Sequence, residues 1–198
     1  MNGSFSDRPE RDSERASSGS AAHGLWVRWL TDWLKTLAIA VTIVLLLHYF
    51  VFNLSTVEGQ SMEPTLTDKE WLFISKFAYI IGRPALGDIV ILQDPTDIAG
   101  RKELLVKRIV GMPGDTIEIR DSKLYRNGEP AIEPYTDSKI EDMDYGPVVV
   151  ANGSYFVMGD NRHARASRDS RTFGVVPLEK IKGRADFILW PIDKISSL

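Results

Sequence analysis

From Thr36 to Val57 the chain runs 22 positions without an Asp, Glu, Lys or Arg, and most are Leu, Val, Ile, Ala or Phe. About 20 such residues in a helix span a bilayer's hydrocarbon core. The run is longer than the apolar part of a secretory leader, and no small-residue cleavage site follows it cleanly. A membrane helix over 36–57 is expected. Before it, Leu25, Trp26, Trp29, Leu30, Trp33 and Leu34 recur at helical spacing with Arg28, Asp32 and Lys35 between them. Residues 25–35 therefore read as an interfacial segment, since an indole sits well where the headgroups are half wet. Residues 1–24 carry Ser, Gly, Arg and acids with almost nothing large to bury, and read as a disordered tail. His48 lies near the outer end of the span and reads as interfacial or packed rather than functional.

After residue 57 the pattern changes to short runs punctuated by turns. Trp71 to Lys76, Asp88 to Leu92, Leu104 to Val110, Thr116 to Ile119, Lys123 to Arg126, Val148 to Ala151, Tyr155 to Met158 and Phe187 to Trp190 have the β-branched and aromatic content of strands. Asn127-Gly128 is a tight-turn signal. Residues 120–150 hold a Pro-, Asp- and Glu-rich stretch, expected to be an irregular insertion. With no sustained helical period, 58–198 is expected to be one antiparallel, barrel-like β domain, so the fold class is mainly β with a single N-terminal transmembrane helix.

Charge adds orientation. Arg8, Arg11, Arg15, Arg28 and Lys35 precede the span, and Lys69 is the first cation after it. The positive-inside rule then puts the tail in the cytoplasm and the β domain outside a plasma membrane. The net charge of −3 gives no nucleic-acid footprint. With no Cys and three His in 198 residues, disulfides, thiolate chemistry and a Cys- or His-built metal site are not expected.

Two residues carry candidate chemistry. Ser61, in Gly59-Gln60-Ser61-Met62-Glu63-Pro64-Thr65-Leu66, sits on a bend because Pro64 keeps Glu63 out of the helical region. Its hydroxyl either points into a cleft or is an ordinary turn residue. Lys107 shares a strand face with Leu105 and Ile109, with Arg108 on the other face. Apolar neighbours would favour a neutral amine able to take a proton from a hydroxyl, which an arginine cannot do. The alternative is a lysine that snorkels to water.

Four ordered blocks resolve these alternatives. Ser61-Met62-Glu63-Pro64-Thr65-Leu66, Gly87-Asp88-Ile89-Val90, Lys107 to Asp115, and Gly159-Asp160-Asn161-Arg162 with Ser167, Asp169, Ser170 and Arg171 follow one membrane span. Over about 25–191 the chain resembles the bacterial type I signal peptidases, membrane-bound Ser/Lys endopeptidases, in their Gram-positive-like form. The resemblance implies a β domain of the signal-peptidase and self-cleaving-repressor type and no cofactor. It makes Ser61 the nucleophile and Lys107 the general base, with the Ser61 N–H at the oxyanion. Ser167 would orient the Lys107 amine, and Asp169 with Arg171 and Asp160 with Arg108 would be structural ion pairs. Gly59, Gln60, Met62 and Val106 would line the substrate site. Gly59 stands where some relatives carry an oxyanion-binding serine.

The implied partners are preprotein signal peptides, cut after a small residue, and the phospholipid membrane, with the protein translocon as a candidate. Four residues, His163 to Ala166, separate Arg162 from Ser167 where the family has two. Either the loop bulges and Ser167 keeps its role, or the register shifts; the intact spacing of 167–171 favours the bulge. Arg162, Arg165, Arg168 and Arg171 either face anionic lipid or belong to a solvated, ion-paired loop. Competing readings are a Ser61–His163 mechanism, a two-Asp site from Asp160 and Asp169, a self-cleaving repressor-like protease, and a membrane-tethered non-catalytic β domain.

Overall fold

A computed structural model describes residues 13–50, 52–97, 100 and 103–198. It divides into two units, Met1–Leu47 and His48–Leu198, each considered by itself.

The first unit consists of most of helix α1, Ser13–Phe50. Its stretch Arg28–Leu46 is long and apolar enough to cross a bilayer, and its side chains are exposed along that length. Leu37, Ile39, Val41, Val44 and Leu45 are exposed around its circumference, as expected for a helix whose solvent is lipid. Two boundaries differ from the sequence expectation. The segment 13–24, read as disordered, is the first part of α1; Ala16, Ala21 and Ala22 favour helix, and a nucleated helix extends at one hydrogen bond per residue. Residues 1–12 lie outside the described residues. At the other end the helix stops at Phe50, not residue 57, and Phe52–Thr56 forms strand β1. An apolar run does not by itself separate helix from strand. Here Asn53, Ser55 and Thr56 interrupt it, and pairing with the next strand satisfies its backbone.

The second unit contains β2 (Trp71–Ser75), the one-turn helix α2 (Ala78–Ile81), β3 (Ile89–Gln93), β4 (Leu104–Gly111), β5 (Thr116–Arg120), β6 (Lys123–Arg126), β7 (Glu129–Pro130), β8 (Tyr145–Val149), β9 (Ser154–Met158), α3 (Ser170–Phe173), β10 (Val176–Pro177), β11 (Ile181–Trp190) and β12 (Ser196–Ser197). The larger sheet has the order β1-β2-β11-β3-β4-β9-β10, with β12 paired to β11. The smaller one has the order β7-β6-β5-β8. Every described pairing is antiparallel.

The apolar pattern explains the layers. Ile89 and Ile91 of β3 enter one core with Val57, Met62, Leu66 and Leu72, whereas Val90 and Leu92 enter another with Ile109 and Val157. Both faces of β3 are buried, which is why it reads as an unbroken apolar run. A third core, built on Ile117, Leu124, Val150 and Phe156, packs the smaller sheet.

Residues 120–150 are more ordered than expected. Asn127 and Gly128, at φ 57° and 84°, close a two-residue hairpin between Arg126 and Glu129. Tyr145–Val149 returns to pair with β5. Irregular chain is confined to 131–144. β8 and β9, on either side of Asn152-Gly153, pair in different sheets, β8 in the smaller and β9 in the larger.

Candidate active site

Ser61 lies on the turn that follows β1, where Glu63 N donates to Gln60 O (3.1 Å) and Leu66 N to Met62 O (2.9 Å). Met62 and Leu66 plug the turn into the first core. Gly59 takes φ +89°, a conformation that favours glycine, and its N–H donates to Asp68 Oδ1. Lys107 is in mid-β4. The two side chains, 46 positions apart, meet: Lys107 Nζ is 2.7 Å from Ser61 Oγ and donates to Val106 O at 2.8 Å.

Lys107 is only 2% exposed. Burial disfavours its ammonium form and lowers its pKa to about 8. The negative charges of Asp169 and Asp160 oppose this shift, and the positive charges of Arg168 and Arg171 add to it. Such an amine is partly neutral near physiological pH and touches a hydroxyl, so it can accept that hydroxyl's proton.

The last sequence block braces the pair from behind. Asp169 is fully buried. Burial alone would raise its pKa, but the hydrogen bonds and charge of Arg171, the Gly159 N–H and the Ser167 hydroxyl outweigh this and hold it below the usual carboxylate range. Arg171 binds both Asp169 oxygens at 2.8 Å and reaches Asp142 at 2.7 Å. Arg108 binds Asp160 at 2.7 and 2.9 Å, donates to Gly87 O, and lies over the Tyr135 ring. Asp160 also accepts from Thr65 Oγ1 at 2.6 Å, which ties this ion pair to the Ser61 turn. A Cβ on Gly159 would overlap Ser61 O and Ser167 Oγ, so only glycine allows the two segments so close.

Several expectations need correction. Ser167 does not bond the Lys107 amine; its hydroxyl donates to Asp169 Oδ2 at 2.8 Å. The adjacent buried carboxylate is the stronger acceptor. His163 faces Glu141 on the surface rather than Ser61, which removes the Ser–His reading. Asp160 and Asp169 are each committed to an arginine, and a two-Asp site is not assembled. Arg162 and Arg171 do not face lipid: Arg162 is buried in a two-toothed pair with Glu133, and Arg168 pairs with Asp94 and Glu103. The longer loop closes a turn, Ala166 N to His163 O, fastened by Ala164 N to Glu141 and Arg165 N to Asp142.

A cleft of about 730 Å³ runs beside Ser61 and Lys107, walled by Leu54 to Glu58 of the β1 segment and Glu103 to Val106 at the start of β4. Met62 and Val106 line it; Gly59 and Gln60 do not. β1 is the sheet's edge, and β4 pairs with β9 only from Arg108 onward. Among the described residues, each wall therefore has one side that no neighbouring strand pairs. Sequence reasoning passed over Asn161, whose contacts with Gln60 and Ser61 span 101 and 100 positions and have no local signature.

A family model described as "Signal peptidase, peptidase S26" matches residues 30–190. A signal peptidase I of Bacillus licheniformis is 39% identical over 84% of this chain and 91% of its own length. Signal peptidase I T of Bacillus subtilis is 40% identical over 83% and 87%. A crystal structure of a signal peptidase I from Enterococcus faecalis is 31% identical over 52% of this chain and 97% of that one, with a TM-score of 0.44.

Proposed function

We propose that this chain, which belongs to the signal peptidase family, peptidase S26, cuts signal peptides from exported preproteins with Ser61 as nucleophile and Lys107 as general base. The observation that carries the mechanism is the 2.7 Å contact between a buried, pKa-lowered amine and a hydroxyl beside an open cleft. Neutral Lys107 takes the Ser61 proton as Oγ attacks the scissile carbonyl. The tetrahedral oxyanion is held by the Ser61 N–H. The Lys107 ammonium then protonates the departing amine, which leaves an acyl ester on Ser61. Water, deprotonated by the same amine, hydrolyses the ester and restores both residues. This is serine-protease logic with one lysine in place of a His–Asp pair.

The preprotein would lie in the cleft as an extra strand, its main chain bonded along Leu54–Glu58 and Glu103–Val106. The closeness of Met62 and Val106 to Ser61 supports a small residue at the cut. The apolar helix fits a membrane-anchored enzyme. The cation bias supports a cytoplasmic N-terminus and a β domain on the outer face, beside the translocon from which substrates emerge. Asp169–Arg171 and Asp160–Arg108 act as struts, and Ser167 as a donor to the first of them.

Detergent-solubilised full-length protein should cut a preprotein at its signal-peptide boundary, and the Ser61→Ala form should not. Equal cleavage by both forms would overturn the assignment.

A further inference from the structure

The Ser61 peptide is gripped from its far side by a residue with no role so far. Asn161 is 6% exposed and follows Asp160 at the end of the β9 segment. Its Nδ2 donates to Gln60 O at 3.0 Å, and its backbone N–H donates to Ser61 O at 3.2 Å. Its Oδ1 accepts from His163 N at 3.2 Å, which fixes which end of the amide faces Gln60. Gln60 O also accepts from Glu63 N. The Gln60–Ser61 peptide is trans, since the cis bonds lie elsewhere. In a planar trans peptide the carbonyl and the N–H point in opposite directions. Holding Gln60 O toward Asn161 therefore turns the Ser61 N–H away from it. Among the described residues no acceptor takes that N–H, and Ser61 borders the cleft. Gly59 carries no side-chain donor, and its own N–H is engaged by Asp68. The direction of one backbone N–H thus carries an unusual share of the site's geometry.

We propose that Asn161 is a positioning residue that aims the Ser61 N–H at the oxyanion by anchoring the Gln60 carbonyl, an inference that rests on Ser61 being the nucleophile. Its effect is confined to the state in which negative charge has developed on the substrate oxygen. Ground-state binding along β1 and β4 does not use it.

The test uses full-length enzyme in detergent with Asn161→Ala and Asn161→Asp, the second being nearly isosteric but lacking the donor. The expected result is a fall in kcat of about tenfold to a hundredfold, with KM within about twofold of wild type. A peptide boronic acid, which accepts Ser61 Oγ to form a tetrahedral adduct, should lose affinity by the factor by which kcat falls. The same peptide as an uncleavable amide should bind unchanged. Wild-type kcat in both variants, a loss carried by KM, or unchanged boronate affinity would overturn the inference. Ser61→Ala, assayed alongside, separates the two levels: if it still cuts, the Ser61 reading fails, whereas an inactive Ser61→Ala with fully active Asn161 variants sinks only the role of Asn161. Should both variants lose cooperative unfolding, wild-type protein labelled with ¹⁵N-serine and ¹⁵N-asparagine decides. On boronate binding the Ser61 amide proton should move downfield while the Asn161 side-chain amide stays protected; an unmoved Ser61 amide, or an Asn161 amide that exchanges freely, contradicts the proposal.

Discussion

Ser167 Oγ donates to Asp169 Oδ2 at 2.8 Å, and both side chains are buried behind the Ser61–Lys107 contact. The hydroxyl helps keep Asp169 ionised, and the Asp169 charge is the largest influence opposing loss of the Lys107 proton. Ser167 thus reaches the amine through a carboxylate. Ser170 points elsewhere and accepts from Val157 N in β9. Ser167 also packs with the Ser61 carbonyl around Gly159, so Ser167→Ala should loosen the Ser61 turn and lower kcat/KM more than Ser170→Ala, even though the electrostatic link alone would ease loss of the Lys107 proton. The reverse ranking in a preprotein cleavage assay would reassign the hydroxyl.

Arg171 is the main counter-charge of a carboxylate with no access to water. Arg171→Met should cost about 3 to 5 kcal/mol in urea unfolding at neutral pH, the usual result of leaving one partner of a buried pair uncompensated. The ionised Asp169 contributes stability above its unfolded pKa, near 3.8, and this is lost as pH falls through its lower folded value. In Asp169→Asn that part of the acid limb should disappear. An unchanged limb would mean that Asp169 is not held ionised by its surroundings.

The turn His163–Ala166 is fastened at the surface by Glu141 and Asp142. Deleting Ala164 and Arg165 should leave at least about a tenth of wild-type activity, a barrier change under about 1.4 kcal/mol. A larger loss would show that the longer loop sets the position of Ser167 and Asp169.

Gly159 packs against Ser61 O with no room for a methyl group. Gly159→Ala must displace the Ser61 turn or β9, and a shift of about 1 Å at the reacting atoms can cost on the order of a hundredfold in rate. A variant with wild-type kcat would show that the turn tolerates the movement.

Much of this organisation is legible in the sequence, and the exceptions have physical causes. The strands around Ile89–Leu92 and Tyr155–Met158 stand out because both of their faces are buried. Ser61 and Lys107 are found through spacing and resemblance. β1 is hidden inside the apolar run, since hydropathy does not say whether a backbone pairs with itself or with β2. The partner of Ser167 depends on which acceptor the loop brings nearest, and a side-chain inventory does not contain that. Asn161 bonds a carbonyl 101 positions away.

The amine also leaves a mark on stability. With its folded pKa near 8 and its unfolded value near 10.5, the unfolded chain binds more protons between these two pH values. Stability should rise with pH across that window, by about 3 kcal/mol in all. Below pH 8 the folded protein carries a buried ammonium. Lys107→Met should therefore be more stable than wild type at neutral pH and should lack the Lys107 share of the rise from pH 8 to 10.5 in urea titrations. A mutant less stable at every pH would make Lys107 an ordinary ion-paired lysine.

The measurement closest to the central claim is the pH dependence of kcat/KM for preprotein cleavage by the full-length enzyme, with Lys107→Arg as its companion. A single deprotonation near pH 8 should govern the rise in activity, and Lys107→Arg, folded but unable to lose its proton, should be inactive at every pH. A profile flat from pH 6 to 9, or an active Lys107→Arg enzyme, would contradict a lysine base.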